Sequence, residues 1–195
     1  NAEVYPHIPL KGSVGASGDL APLAHMARAL IGEGDVHFQD RVMPAMLALK
    51  EANLDSIVLK AKEGLSLING TQVSTALGIR AISESQNLLK TADIAGALST
   101  EASLSTRIVF TPKIHKLKKH PGQVASATNV YNMLQGSDIV HSHDDCGRIQ
   151  DPYCVRCIPH VHGSSREVFS IAEKIINNEL NSISDNPLVF PNGDV

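Results

Sequence analysis

No proline occurs between Pro44 and Pro112, and that interval constrains the fold more than any other feature of the chain. Proline removes a ladder N–H and its ring clashes with the preceding turn, so its absence over such a length permits a long unbroken helix. Within the interval Val73, Leu77, Ala81, Leu88, Ala92, Ala95, Leu98 and Ala102 recur at near-helical spacing. Thr71, just past the Asn69-Gly70 break, is placed to cap that helix. A second long helix is predicted from Val168, Ala172, Ile175, Ile176, Leu180 and Ile183, stopped by Asp185-Asn186-Pro187. Ala45 to Glu51 reads as a short helix and Ile57-Val58-Leu59 as a short extended piece. From Phe110 to Asp138 the periodicity dissolves into Pro112, the basic run Lys113 to Lys119 and Pro121-Gly122, with one short helical piece from Val130 to Leu134. The expected class is mainly α: a long-helix bundle with irregular loops.

At 195 residues the chain has material for one domain, or at most two. Its net charge of −3 argues against nucleic acid as the main partner, and the basic run carries almost no interleaved aromatics. No apolar run approaches membrane-spanning length and no signal peptide is visible, so the expected address is the cytoplasm. The chain starts at Asn1 without Met and stops at Gly193-Asp194-Val195, and is read as an internal piece of a longer one. Residues 1–70 would form a glycine-loop region, and residues 71–195 the start of a helical bundle.

The most unusual local composition is Gly12-Ser13-Val14-Gly15-Ala16-Ser17-Gly18-Asp19, ahead of an apolar-periodic run from Leu20 to Ile31. Asp19 is placed to cap that run, with Pro22 tolerated in its first turn and Gly32 and Gly34 ending it. A loop so poor in side chains has three readings. It can be a tight turn. It can be an anion cradle on a helix N-terminus, although no strand-like run precedes it and neither the dinucleotide nor the P-loop pattern is present. Or it can react with itself: the unhindered Gly18 nitrogen attacks the Ala16 carbonyl, and loss of two waters leaves a 4-methylidene-imidazol-5-one electrophile.

A second constellation lies between His141 and His162. Cys154-x-x-Cys157 with His160, close to His141, His143, Cys146 and His162, could hold zinc, which makes a zinc-binding helical module one alternative. Against it, Pro152 and Pro159 break the region and a cytosolic cysteine is commonly a small buried residue. A non-catalytic helical scaffold is a further alternative. The same stretch reads Gln150-Asp151-Pro152-Tyr153-Cys154-Val155-Arg156, whose Gln, Tyr and Arg, three apart, would share one face of a helical turn. Arg156 could grip a carboxylate bidentately and Tyr153 could exchange a proton.

Gly12 to Leu23 resembles the prosthetic-group segment of the aromatic amino acid ammonia-lyases, and Ser142 to Cys157 is more similar to the histidine-deaminating members than to the phenylalanine and tyrosine ones. Lys62 to Gln72, His120 to Gln123 and Ser184 to Phe190 match in the same order. His160, His162 and Lys118-Lys119 depart from the usual pattern without touching the core motifs.

The resemblance implies the central part of the aromatic lyase fold and non-oxidative elimination of ammonia from L-histidine to give urocanate. The alternatives are a phenylalanine or tyrosine ammonia-lyase, or an aminomutase. Ala16, Ser17 and Gly18 would form the electrophile, with Asp19 assisting and no metal required. Asn69 would hydrogen-bond the group or its developing charge, Arg156 would bind the substrate carboxylate, and Tyr153 and Gln150 would contact the amine or the prosthetic group. The implied assembly is a homotetramer with shared sites acting on a small amino acid. The base and further pocket residues would lie outside this piece, leaving it inactive alone.

Overall fold

The computed structural model describes residues 2–13 and 18–193. Val14, Gly15, Ala16 and Ser17 lie outside the described residues, so the expectations on Ala16 and Ser17 do too. The chain forms two compact units, residues 1–78 with 178–195, and residues 79–177.

The first unit opens with β1 (Tyr5–Pro6), then α1 (Leu20–Leu30), β2 (Asp35–Phe38), β3 (Arg41–Pro44), α2 (Ala45–Glu51) and α3 (Glu63–Ile68). The three strands form one antiparallel sheet in the order β1-β2-β3, with Tyr5 opposite His37 and Val36 opposite Met43. Sequence patterning misses this sheet because its strands are so short. Its hairpin turn is Gln39-Asp40, both at positive φ, the backbone a two-residue hairpin needs without the Asn-Gly that usually announces it. Period-2 alternation on β2 turns Val36 and Phe38 inward, against Ala29 of α1 and Ala45 and Ala48 of α2. Gly32 ends α1 at φ +83°, as its position predicts. Ile57-Val58-Leu59 is irregular and joins no strand ladder.

α4 (Gln72–Ala102) is the long helix of 31 residues that the proline-free interval predicts. Its first turns belong to the first unit and the remainder to the second. The apolar period sets the helix but does not bury it here: Leu77, Leu88 and Leu98 are all exposed, Leu88 by 66 %.

The second unit continues with a 3-10 turn at Ile108–Phe110, then α5 (Pro112–Lys116), α6 (Pro121–Met133), α7 (Asp138–His141), α8 (Tyr153–Arg156) and most of α9 (Ile158–Leu180). Much of the stretch expected to be irregular is therefore helical. Pro112 and Pro121 sit in the first turns of α5 and α6, where a missing N–H leaves nothing unpaired, so they start helices that they were expected to interrupt. Pro159 likewise stands in the first turn of α9, which begins ten residues before the predicted Val168 and stops before Ile183. Ala97, Phe110, Val130, Leu134, Val140, Val155 and Ile158 make the apolar core of this unit.

α6 and α9 meet backbone to backbone. A Cβ on Gly163 would overlap the Gln123 backbone, and one on Gly122 would overlap the Gly163 carbonyl. Nearby, Asp93 of α4, 1 % exposed, accepts hydrogen bonds from Ser126 Oγ at 2.7 Å and Asn129 Nδ2 at 2.8 Å on α6, and from Arg166 Nη2 at 2.5 Å on α9, with His162 Nδ1 3.0 Å away. Burial alone would raise the Asp93 pKa, but the bonds from Ser126, Asn129 and His162 and the Arg166 charge together hold it below the ordinary carboxylate value. Among the described residues no helix is long and apolar enough to cross a membrane.

Candidate active site

In the first unit, the described end of the glycine loop lies against the end of α3. Gly18 has φ +122°, a conformation that excludes an L side chain, and its α-carbon faces the Gly70 backbone closely enough that a Cβ would stand 3.5 Å from Gly70 O. The Asp19 N–H points to the same carbonyl at 3.5 Å. Asn69, the residue that ends α3, is thus one position from the backbone that Gly18 and Asp19 touch.

Asp19 occupies the cap position of α1 but makes no side-chain bond to it, which corrects the predicted cap. Its buried carboxylate instead accepts from Ser74 N at 2.8 Å and Ser74 Oγ at 2.5 Å, near the start of α4. A carboxylate there satisfies an orphan N–H and faces the positive end of the macrodipole, so Asp19 caps the longer helix. Thr71, the predicted cap of α4, directs its hydroxyl to Glu179 at 2.5 Å.

The segment after α9 returns to this unit and fastens the Asn69 loop. Asn69 Nδ2 donates to Asn186 O at 2.7 Å. Asp185 accepts from Lys62 Nζ and, at 2.9 Å, from Ser66 Oγ, while Lys62 also donates to Pro187 O at 2.5 Å. The Lys62 hydrogen bond lowers the Asp185 pKa, partly opposed by burial and aided by Ser66, the Asn186 N–H and the Lys62 charge. Lys62 and Asp185 carry no sequence signal of this role beyond their places in the matching islands, since more than a hundred residues separate them.

In the second unit, Tyr153 and Arg156 share the single turn of α8, with the Arg156 guanidinium carbon 5.4 Å from the Tyr153 ring centroid and the phenol 73 % exposed. Gln150 is exposed but precedes the turn, separated from it by Asp151-Pro152, so the three do not lie on one helical face as their spacing predicts. Proline fixes its own φ and pushes the preceding residue out of helical geometry, which delays the helix to Tyr153. Cys146 and Cys154 are exposed and Cys157 partly so, and all three are free thiols. Among the described residues, no three His, Cys, Asp or Glu side chains converge to hold a metal ion.

The first unit thus brings the Gly18 backbone, the Asn69 amide and the Asp19 carboxylate to one loop cluster, and the second pairs Tyr153 with Arg156 on one turn. The family model described as aromatic amino acid lyase matches residues 1–195, and the chain belongs to that family. It is 50 % identical over 187 residues to the histidine ammonia-lyase of Sorangium cellulosum, covering 96 % of this chain and 36 % of that protein. Among solved structures it is similar to histidine ammonia-lyase from Trypanosoma cruzi, with 39 % identity, a TM-score of 0.78, and coverage of 100 % of this chain and 35 % of that one. It also resembles the phenylalanine aminomutase of Pantoea agglomerans, with 32 % identity, a TM-score of 0.83, and coverage of 97 % and 40 %. The chain spans little more than a third of the length of the curated relatives it matches.

Proposed function

We propose that this chain is the prosthetic-group segment of a histidine ammonia-lyase that eliminates ammonia from L-histidine to give urocanate. The observation that carries the reading is the apposition of Gly18 and Asp19 to Gly70, beside Asn69. The segment that would cyclise thereby ends against Gly70, the neighbour of the residue proposed to face its product. A 4-methylidene-imidazol-5-one made from Ala16, Ser17 and Gly18 would supply an electrophile for the substrate amine, with no metal. The residues present fit it: Gly18 holds a backbone only glycine adopts, and the Asn69 amide keeps a second N–H beyond the one given to Asn186.

The other roles belong to the chain's own side chains. Asp19 holds the loop end to the start of α4, and Arg156 pairs with the substrate carboxylate. Tyr153, exposed on α8, exchanges a proton with the amine side of the substrate, and Gln150 contacts the same ligand. We assign the working assembly to a cytoplasmic homotetramer in which Tyr153 and Gln150 serve a neighbouring subunit's site. The isolated segment is expected to be inactive.

The higher sequence identity to histidine ammonia-lyases favours that substrate over those of the aminomutases and the phenylalanine ammonia-lyase. The test is mass spectrometry of the Ser17 peptide from the full-length protein, together with an assay of histidine turnover. The peptide should be lighter than its sequence by two waters and the product should be urocanate. A protein that deaminates histidine with the Ser17 hydroxyl intact refutes the mechanism, and a β-amino acid product refutes the lyase assignment.

A further inference from the structure

Asp151 lies between two residues of the proposed substrate pocket, Gln150 and Tyr153, yet its own carboxylate bonds to other partners. It is buried and accepts from Thr106 N at 2.8 Å and from Arg148 Nη1 at 3.3 Å, anchoring the segment before α8 to the loop that follows α4. Its backbone carbonyl accepts from Arg156 Nε at 2.9 Å, reaching back over Pro152. Side chain and main chain of this one residue therefore fix both the ground on which Arg156 stands and one edge of its guanidinium.

That second bond has a chemical consequence. A guanidinium can grip a carboxylate side-on, through Nε and one terminal nitrogen, or end-on, through both terminal nitrogens. With Nε given to Asp151 O, the side-on edge is occupied, and one N–H on each terminal nitrogen forms the remaining end-on fork. The Tyr153 ring lies 5.4 Å from the guanidinium carbon.

We propose that Asp151 is a positioning residue that presents Arg156 end-on to the substrate carboxylate, by locking the Asp151 carbonyl through its carboxylate bonds to Thr106 and Arg148. The proposal rests on the reading that Arg156 takes that carboxylate. It assigns Asp151 no contact with substrate, so its effect is on binding geometry and not on the prosthetic group.

The test uses the full-length protein and its Asp151→Asn variant, which keeps the side chain's shape and removes its charge. The KM for histidine is expected to rise about tenfold with kcat within about threefold, because a misaimed bidentate donor loses most of its advantage over a single bond. Inhibition by histamine, which lacks the carboxylate, is expected to be unchanged, and the Ser17 peptide should still be two waters light. Arg148→Gln, which removes only the more exposed carboxylate partner, should move KM in the same direction by about twofold. In an Arg156→Lys background Asp151→Asn should add little, since there is no fork left to aim.

An unchanged KM in Asp151→Asn overturns the proposal, as does an equal weakening of histamine and histidine, which would mark general loosening. If Asp151→Asn does not fold, the Arg148→Gln measurement decides on the same criteria. A wild-type protein that leaves histidine intact overturns the functional reading and this proposal with it, whereas the failures above leave wild-type turnover in place.

Discussion

Asp93→Ala should make the backbone amides of α4, α6 and α9 around the buried carboxylate exchange with solvent about a hundredfold faster in the full-length protein. The change removes the one acceptor shared by Ser126, Asn129, His162 and Arg166. Removing one partner of a buried ion pair costs about 3–5 kcal/mol. The lower end applies because the Arg166 side chain keeps 20 % exposure and can recruit water. About 3 kcal/mol of lost local stability corresponds to about a hundredfold in opening equilibrium.

Asp93→Asn gives the contrast. Its amide oxygen can accept from Asn129 and Arg166, and its amide nitrogen can donate to Ser126 Oγ and His162 Nδ1, both able to accept. Only the charge is then lost, and exchange should quicken about fivefold, for roughly 1 kcal/mol. Because the Asp93 pKa is lowered on folding, its stabilisation is complete above the ordinary carboxylate range near pH 4 and is lost as pH falls through the folded value. Hydrogen exchange read by mass spectrometry on peptides covering Asp93, Ser126 and His162 measures all three effects. Exchange in Asp93→Ala within twofold of wild type, or equal effects of Ala and Asn, would refute the reasoning.

Gly163→Ala should destabilise the second unit by about 1–3 kcal/mol through overlap with the Gln123 backbone, and thermal unfolding should show a lower midpoint. Asp19→Ala should weaken the start of α4 by about 1 kcal/mol and reduce the fraction of Ser17 peptide that has lost two waters, as mass spectrometry can read. Asp185→Asn should lower kcat more than it raises KM, since it frees the segment that holds Asn69 and not the one that holds Arg156. In the unsubstituted protein the same loosening should appear as pH falls through the folded Asp185 pKa, which lies below the ordinary value.

What could be read from the residues follows from the range of the forces that shape them. α4 is legible because its apolar period and the absence of proline act within a few turns, the later part of α9 is legible from its apolar period, and α2 has the bounds read for it. Prolines misled where position within the helix decides their effect: Pro112, Pro121 and Pro159 start helices. The sheet was missed because its strands run two to four residues and its hairpin turns on Gln39-Asp40 in place of a glycine pair. The spacing of Tyr153 and Arg156 put them on one turn, where they lie, while Pro152 kept Gln150 off it. The partners that hold these residues were illegible. Ser74 for Asp19, Asn186 for Asn69 and Thr106 for Asp151 are all distant in sequence, and no local preference encodes such a bond.

The first unit is discontinuous, and that sets a timetable for its birth on the ribosome. Asn69 and the carbonyl that orients it are 117 positions apart. At synthesis rates of about 5–20 residues per second, the amide waits on the order of ten seconds for its acceptor to be translated. Until then the nascent chain carries the Ala16-Ser17-Gly18 triad without the carbonyl that orients Asn69, so the clasp closes only after the second unit has been translated.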